Sequence, residues 1–132
     1  MELEVKPFSY DRDYRTVCQW WESHGFPIIM REILPKNAMI VYEGDFPLCA
    51  AWFYSSDANV AWIEYVTRNP EAPREKIGPA LDALLNGLCD RAKELGFSVA
   101  LSCASNTSLI ARYELNGFSV ADTNVTHVVR RL

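Results

Sequence analysis

The stretch REKIGPALDALLNGL, Arg74 to Leu88, decides how the chain is read. Leu81, Leu84, Leu85 and Leu88 recur at helical spacing, and Ala92 and Leu95 continue the same face. Asp82, Asn86, Asp90, Lys93 and Glu94 fill the other face. The spacing predicts a long amphipathic helix from Pro79 to Leu95, with Gly96 as its stop. Gly78-Pro79 at its start has two readings. Proline is common at the first helical position because its fixed φ suits the turn and its missing N–H is not needed there. Glycine followed by small Ala80 would also let an anion approach the free N–H groups and the positive end of the helix dipole. Arg74 and Lys76 add positive charge beside it. Taken alone, the stretch favours the plain helix start.

Upstream, ELEVKPF alternates as a strand, and SYDRDYRTVCQWWESHGF reads as a helix. Ser9 or Asp11 caps that helix, Tyr14, Val17, Cys18 and Trp21 mark its apolar spacing, and Gly25 ends it. Trp20 and Trp21 point roughly 100° apart on a helix, so one is expected in the core and one partly exposed. NAMIVYE, PLCAAWFYSS and VAWIEYVT, separated by the turns EGDFP and DAN, predict a three-stranded antiparallel meander. RNPEAP then breaks regular structure. Downstream come a strand, FSVALSC, and a helix, NTSLIARYELNG, with Asn106 as N-cap and Gly117 as stop. FSVAD and VTHVVRRL are expected to close the chain as strands. The order is β-α-βββ-α-β-α-ββ, with room for a short helix near MREILP.

The 132 residues suit a single domain over 1–132. No apolar run approaches membrane-span length, and MELEVKPFSYDRDYR lacks an apolar signal region, so no membrane partner and a cytoplasmic location are expected. A net charge of −4 argues against a nucleic-acid partner, which needs a basic face. The four cysteines have no CxxC spacing and only two histidines exist, so no metal site is expected. Small buried hydrophobes is the reading for these cysteines, and no disulfides are expected.

In context the opening stretch takes on a second meaning. It follows a strand, crosses a proline-rich turn and precedes the pair VALSCASNTSLIARYELNGF. Here the chain resembles the GNAT superfamily of acyl-CoA N-acyltransferases. That family carries a Gln/Arg-x-x-Gly-x-Gly/Ala loop at the start of its long helix, matched by Glu75-Lys76-Ile77-Gly78-Pro79-Ala80. It also ends in an Asn followed by a helix of the form Leu-Tyr-Glu-x-x-Gly-Phe, matched by Asn106, Tyr113, Glu114, Gly117 and Phe118. Glu75 departs from the pattern where Gln or Arg is usual, with Arg74 one residue earlier. Pro79 removes one possible N–H donor.

The resemblance implies a three-layer α-β-α sandwich around a central mixed, mostly antiparallel sheet, the acyl-CoA N-acyltransferase fold. It implies an N-acetyltransferase that uses acetyl-CoA as cosubstrate and a primary amine, of a small molecule or a protein, as acceptor. It gives the cofactor-binding residues as Tyr65, Val66, Thr67, Arg74, Lys76, Ile77, Gly78, Pro79, Ala80 and Asn106. Tyr113 is implied as the group that protonates the leaving thiolate. Glu64, an acidic residue interrupting an apolar strand, is the candidate general base. Strand alternation puts Trp62, Glu64 and Val66 on one face and Ile63, Tyr65 and Thr67 on the other. Trp21, His24 and Phe26 are implied at the acceptor side, where His24 could be a second base, although a histidine beside a helix-ending glycine is more often a partner of the helix dipole. His127 reads as structural. A covalent route through Cys103 has no accompanying histidine in sequence. The alternative function is a non-catalytic acyl-CoA-sensing or protein-binding module, and the protein is expected as a monomer or homodimer.

Overall fold

Five strands lie side by side in sequence order in the computed structural model, which describes residues 2–132. The elements are β1 (Leu3–Pro7), α1 (Tyr10–His24), β2 (Asn37–Glu43), β3 (Phe46–Ser55), β4 (Val60–Arg68), α2 (Arg74–Glu94), β5 (Val99–Ser102) and α3 (Thr107–Leu115). Strands β1 to β4 pair antiparallel, and β5 joins β4 in parallel. Parallel pairing requires a crossover, and α2 provides it.

Strand β3 sits at the centre, and its apolar run is explained by burial on both faces. Cys49, Ala51 and Phe53 point to one side with Leu84 and Leu88 of α2, whereas Ala50 and Trp52 point to the other with Val17 and Trp21 of α1. Helix α3 lies on the α2 side, where Asn116 beyond its end bonds Asn86 and Asp82 of α2. These are the three layers and the mixed sheet that the family resemblance implied. Ser9 caps α1 by accepting from the Arg12 N–H at 3.4 Å, and Gly25 ends it with φ 75°. Asn106 caps α3 through two backbone N–H groups.

Four expectations are corrected. Helix α2 begins at Arg74, so Gly78 and Pro79 lie inside it and not at its start. Pro73 takes the starting role, its carbonyl accepting from the Lys76 N–H at 3.0 Å. FSVAD and VTHVVRRL form no strands, because residues 118–132 pair with no neighbour. MREILP forms turns and no helix. Both Trp20 and Trp21 are buried. Trp20 joins Trp21 in the core on the α1 side of the sheet, which the spacing within the helix does not reveal. All four cysteines are free, and only Cys49 is fully buried. Among the described residues no helix is long and apolar enough to cross a membrane.

Candidate active site

Strands β4 and β5 part company. Their pairing runs from Val60↔Val99 to Ile63↔Ser102, where β5 ends, and β4 continues alone on that side to Arg68. At the fork β4 also bulges. Glu64 pairs with Trp52 and Thr67 with Ala50, so Tyr65 and Val66 together face the single residue Ala51. Tyr65 holds φ 60°, a left-handed conformation that is a true outlier for an aromatic residue. Its strain, of the order of 1–3 kcal/mol, sits beside Glu64. The bulge corrects the expected face pattern. Val66 packs with Ile63 on the α2 side and is not on the Glu64 face, while Tyr65 joins the α1-side core.

The fork gathers the chemical groups. Trp62 Nε1 donates to Glu64 Oε2 at 2.9 Å. The Tyr113 hydroxyl reaches in from α3 and lies 2.6 Å from Ser102 Oγ, which lies 3.0 Å from the Ile63 carbonyl. Ser102 has one proton and the carbonyl can only accept, so Ser102 donates to Ile63 and the Tyr113 phenol donates to Ser102. Tyr113 is buried, with Phe118 edge-on at 4.8 Å. Its pKa is pushed up to about 12, chiefly by burial, with the Glu64 charge adding and the Ser102 bond opposing. The phenol is therefore a neutral proton donor at physiological pH.

The first turns of α2 form the other end of the site. Lys76 is ion-paired with Glu43. Ile77 packs against the core. Gly78 has the Arg112 guanidinium of α3 lying against it, and a Cβ there would overlap that group. Arg112 is held by Asp82 at 3.0 Å, and Asp82 also accepts from Asn116 at 2.8 Å. Ala80 is fully buried and faces the core, which corrects its expected role as an open seat for a ligand. Arg74 and Pro79 are exposed. The Asn106 side-chain oxygen is committed to the Ser108 and Leu109 N–H groups.

On the α1 side, Trp21 Nε1 donates to Thr67 Oγ1 at 2.9 Å, and Thr67 Oγ1 donates to the Tyr65 carbonyl at 2.8 Å. His24 Nε2 lies 3.0 Å from the Arg68 carbonyl, which makes it the donor. Trp21 and His24 thus tie α1 to the far end of β4. His24 stacks on Phe26 at 5.4 Å, and Phe26 is exposed. The structure brings Glu64 and Tyr113 to one fork and leaves Trp21 buried under it. Sequence reasoning missed Ser102, Trp62 and Arg112. Their only signals are a polar residue ending VALS, a tryptophan two residues before Glu64, and an arginine just before Tyr113.

This arrangement has counterparts among solved structures. A protein of Thermus thermophilus superposes with a TM-score of 0.72 at 15% identity, over 98% of this chain and 97% of that one. The ribosomal-protein-S18-alanine N-acetyltransferase of Escherichia coli matches with a TM-score of 0.70 at 20% identity, over 92% and 80%. The chain has the acyl-CoA N-acyltransferase fold. An N-acetylglutamate synthase of Neisseria gonorrhoeae, complexed with coenzyme A and N-acetyl-glutamate, has a TM-score of 0.67 at 19% identity. That match covers 92% of this chain and 29% of the synthase. No family model and no curated protein matches the sequence.

The residues of this acyltransferase-fold chain can be tested against an acyl-CoA. A β4 backbone with no β5 partner beyond Ile63 leaves an open edge of the kind that can pair with an extended ligand. Arg74 is exposed on the first turn of α2 and Arg112 lies against Gly78, so Gly78-Pro79-Ala80 is a closed helical turn and not an open cradle.

Proposed function

We propose that this protein transfers an acetyl group from acetyl-CoA to a primary amine, by direct attack in a ternary complex. The observation that carries the reading is the fork between β4 and β5, with the Tyr113 phenol on one side and Glu64 at its mouth. Beyond Ile63 the β4 backbone, at Tyr65, Val66 and Thr67, receives the pantetheine arm as an added strand. Arg112 and Arg74 meet the phosphates. Glu64 accepts the amine proton, directly or through a water, so that the nitrogen lone pair is free. The nitrogen bonds to the thioester carbon, the C–S bond breaks, Tyr113 gives its proton to the departing sulfur, and the proton that the new amide nitrogen sheds returns through solvent to the tyrosinate. Ser102 and the Ile63 carbonyl hold the phenol at that point.

The acceptor is a primary amine of a small molecule or of a protein, approaching from the Phe26 side. Calorimetry and thermal shift with acetyl-CoA and CoA test the first requirement. No binding at high micromolar ligand would sink the reading. An amine panel then tests transfer, and it includes an alanine α-amine because the Escherichia coli neighbour is named for one.

One observation favours a second reading. Helix α2 runs through Gly78-Pro79 without opening, Ala80 is buried, and Arg112 covers Gly78. A non-catalytic module that senses acyl-CoA or binds a protein would keep such a closed turn. Acyl-CoA binding without turnover on any amine, unchanged by Glu64→Gln, separates it from the first.

A further inference from the structure

Residues 26–36, between α1 and β2, form no helix or strand, and Leu34 is their only buried side chain. Three phenols hold this segment by its carbonyls. Tyr14 of α1 donates to Ile29 at 2.8 Å, Tyr10 of α1 to Pro35 at 3.2 Å, and Tyr54 of β3 to Ile33 at 3.0 Å. With so little apolar burial, these bonds carry much of the segment's order. Tyr54 differs from the other two because it reaches further. Its hydroxyl also lies 3.0 Å from that of Tyr65. Tyr54 has a single proton and the Ile33 carbonyl only accepts, so Tyr54 donates to Ile33 and Tyr65 donates to Tyr54. Burial and the Tyr65 bond push the Tyr54 phenol up, so it stays a donor at physiological pH.

The relay ends on the most strained residue of the fork. Tyr65 holds φ 60°, and an aromatic residue keeps a left-handed backbone only where its surroundings over-determine it. Its carbonyl is fixed by Thr67 Oγ1, which Trp21 in turn bonds. Its hydroxyl, at the other end of the side chain, is fixed by Tyr54. On the acyltransferase reading, we propose that Tyr54 is a positioning residue for acyl-CoA: acting through the Tyr65 hydroxyl, it holds the β4 bulge in the form that offers its backbone to the ligand, and it joins that bulge to residues 26–36. A shift of the Ile33 carbonyl then pulls on Tyr54 and so on Tyr65, which gives the segment a route to the fork. Tyr10 and Tyr14 hold the same segment from α1, and their hydroxyls bond Pro35 and Ile29 in place of Tyr65.

The test measures acetyl-CoA affinity by calorimetry, and amide hydrogen exchange without ligand, for the full chain and for phenylalanine variants of Tyr54, Tyr65 and Tyr10. Tyr54→Phe should weaken acetyl-CoA about threefold to tenfold, as loss of one hydrogen bond does, and speed exchange in both 26–36 and 64–67. Tyr65→Phe leaves the Ile33 bond in place, so it should weaken the ligand equally but speed exchange in 64–67 alone. The double variant should bind no more weakly than either single one, because both remove the same link. Tyr10→Phe frees Pro35 without touching the relay, so it should speed exchange in 26–36 and leave affinity unchanged. Equal loss of affinity in Tyr10→Phe and Tyr54→Phe would mean general loosening of the segment and overturns the proposal. Unchanged affinity or unchanged exchange at 64–67 in Tyr54→Phe, with the natural chain binding acetyl-CoA, overturns the positioning role alone. A natural chain that binds no acetyl-CoA overturns the acyltransferase reading and this role together.

Discussion

The Tyr113 hydroxyl stands 2.6 Å from the Ser102 hydroxyl, and Ser102 spends its only proton on the Ile63 carbonyl. The phenol proton therefore points inward in the free protein. Ser102 also opposes the rise of the Tyr113 pKa, which burial drives to about 12. When Tyr113 ionises, the Ser102 hydroxyl turns from the Ile63 carbonyl and donates to the phenolate, so Ser102→Ala should raise that pKa further. Ultraviolet titration of tyrosinate reads it, with Tyr113→Phe identifying the signal that belongs to Tyr113. A value unchanged or lowered by Ser102→Ala would show that Ser102 does not turn its proton to the tyrosinate.

The same shift fixes the sign of an alkaline effect. A tyrosine has an ordinary pKa of about 10, and Tyr42 and Tyr113 are both pushed up to about 12 in the fold, mainly by burial. The unfolded chain loses these protons first. Stability is then fully present below pH of about 10 and is lost as pH rises toward about 12. Denaturant midpoints across that window should fall steeply for the natural sequence and less steeply for Tyr113→Phe. Equal slopes would mean that Tyr113 contributes nothing to it.

The proposed chemistry separates Glu64 from Tyr113 by what each leaves intact. Glu64→Gln keeps an oxygen for Trp62 Nε1 but cannot take a proton. Loss of a general base should lower kcat by about 10²–10⁴ with acetyl-CoA affinity unchanged. Tyr113→Phe should lower kcat too, and a thioester with a more acidic leaving thiol should recover part of it. A Glu64→Gln variant with full turnover would remove Glu64 from the base role.

Asp13 is fully buried and accepts from the Ser9 N–H, from Arg12 Nε and Nη2, and from the Tyr42 hydroxyl at 2.5 Å. Burial alone would raise its pKa, yet these hydrogen bonds outweigh it and hold the carboxyl below the usual range. The stability it contributes is present above the unfolded pKa of about 3.9 and is lost as pH falls through the folded value. Asp13→Ala strands the Tyr42 hydroxyl, while the Arg12 guanidinium stays partly exposed to water, and should cost roughly 1–3 kcal/mol in chemical unfolding. A cost below about 1 kcal/mol would show that water repairs the gap.

These groups differ in how readable they were. The helix that carries Tyr113 was legible because Asn106 and Gly117 bracket it, whereas the role of Tyr113 came only from the family resemblance. Glu64 was legible as a charge in an apolar strand. The bulge was not, since Tyr65 carries no glycine or proline to mark its φ of 60°. It reversed the face of Val66. The start of α2 was misread because two prolines compete for one rule. Pro79 fits the first helical position on paper, but Pro73 lies at the boundary of the broken stretch and Arg74 to Ile77 are good helix formers. The closing strands failed for another reason. Local propensity makes a segment able to be a strand, and only a neighbour makes it one. Ser102 and Arg112 were hidden because their partners lie across the fold.

Gly78 depends on such a distant partner, and it supplies a test with a change of sign. Glycine inside a helix costs about 0.5–1 kcal/mol relative to alanine, so Gly78→Ala should stabilise α2 unless something occupies the space. Arg112 does occupy it. A methyl at position 78 must displace the guanidinium and break its bond to Asp82, a partly exposed pair that contributes up to about 1 kcal/mol. Gly78→Ala alone should therefore be close to neutral. In an Arg112→Ala background the same change should raise stability by roughly the full 0.5–1 kcal/mol, because nothing is left to displace. The two changes thus couple, and a double-mutant cycle in urea measures the coupling. Acetyl-CoA titration of the same four proteins adds the functional half. If Arg112 meets the phosphates, Arg112→Ala should weaken binding about tenfold or more, as loss of a charge-assisted hydrogen bond of roughly 1.5–3 kcal/mol does. Gly78→Ala, which moves the guanidinium without removing it, should weaken binding less. Additive stabilities together with unchanged affinity would show that Arg112 merely rests on Gly78 and serves neither the helix nor the ligand.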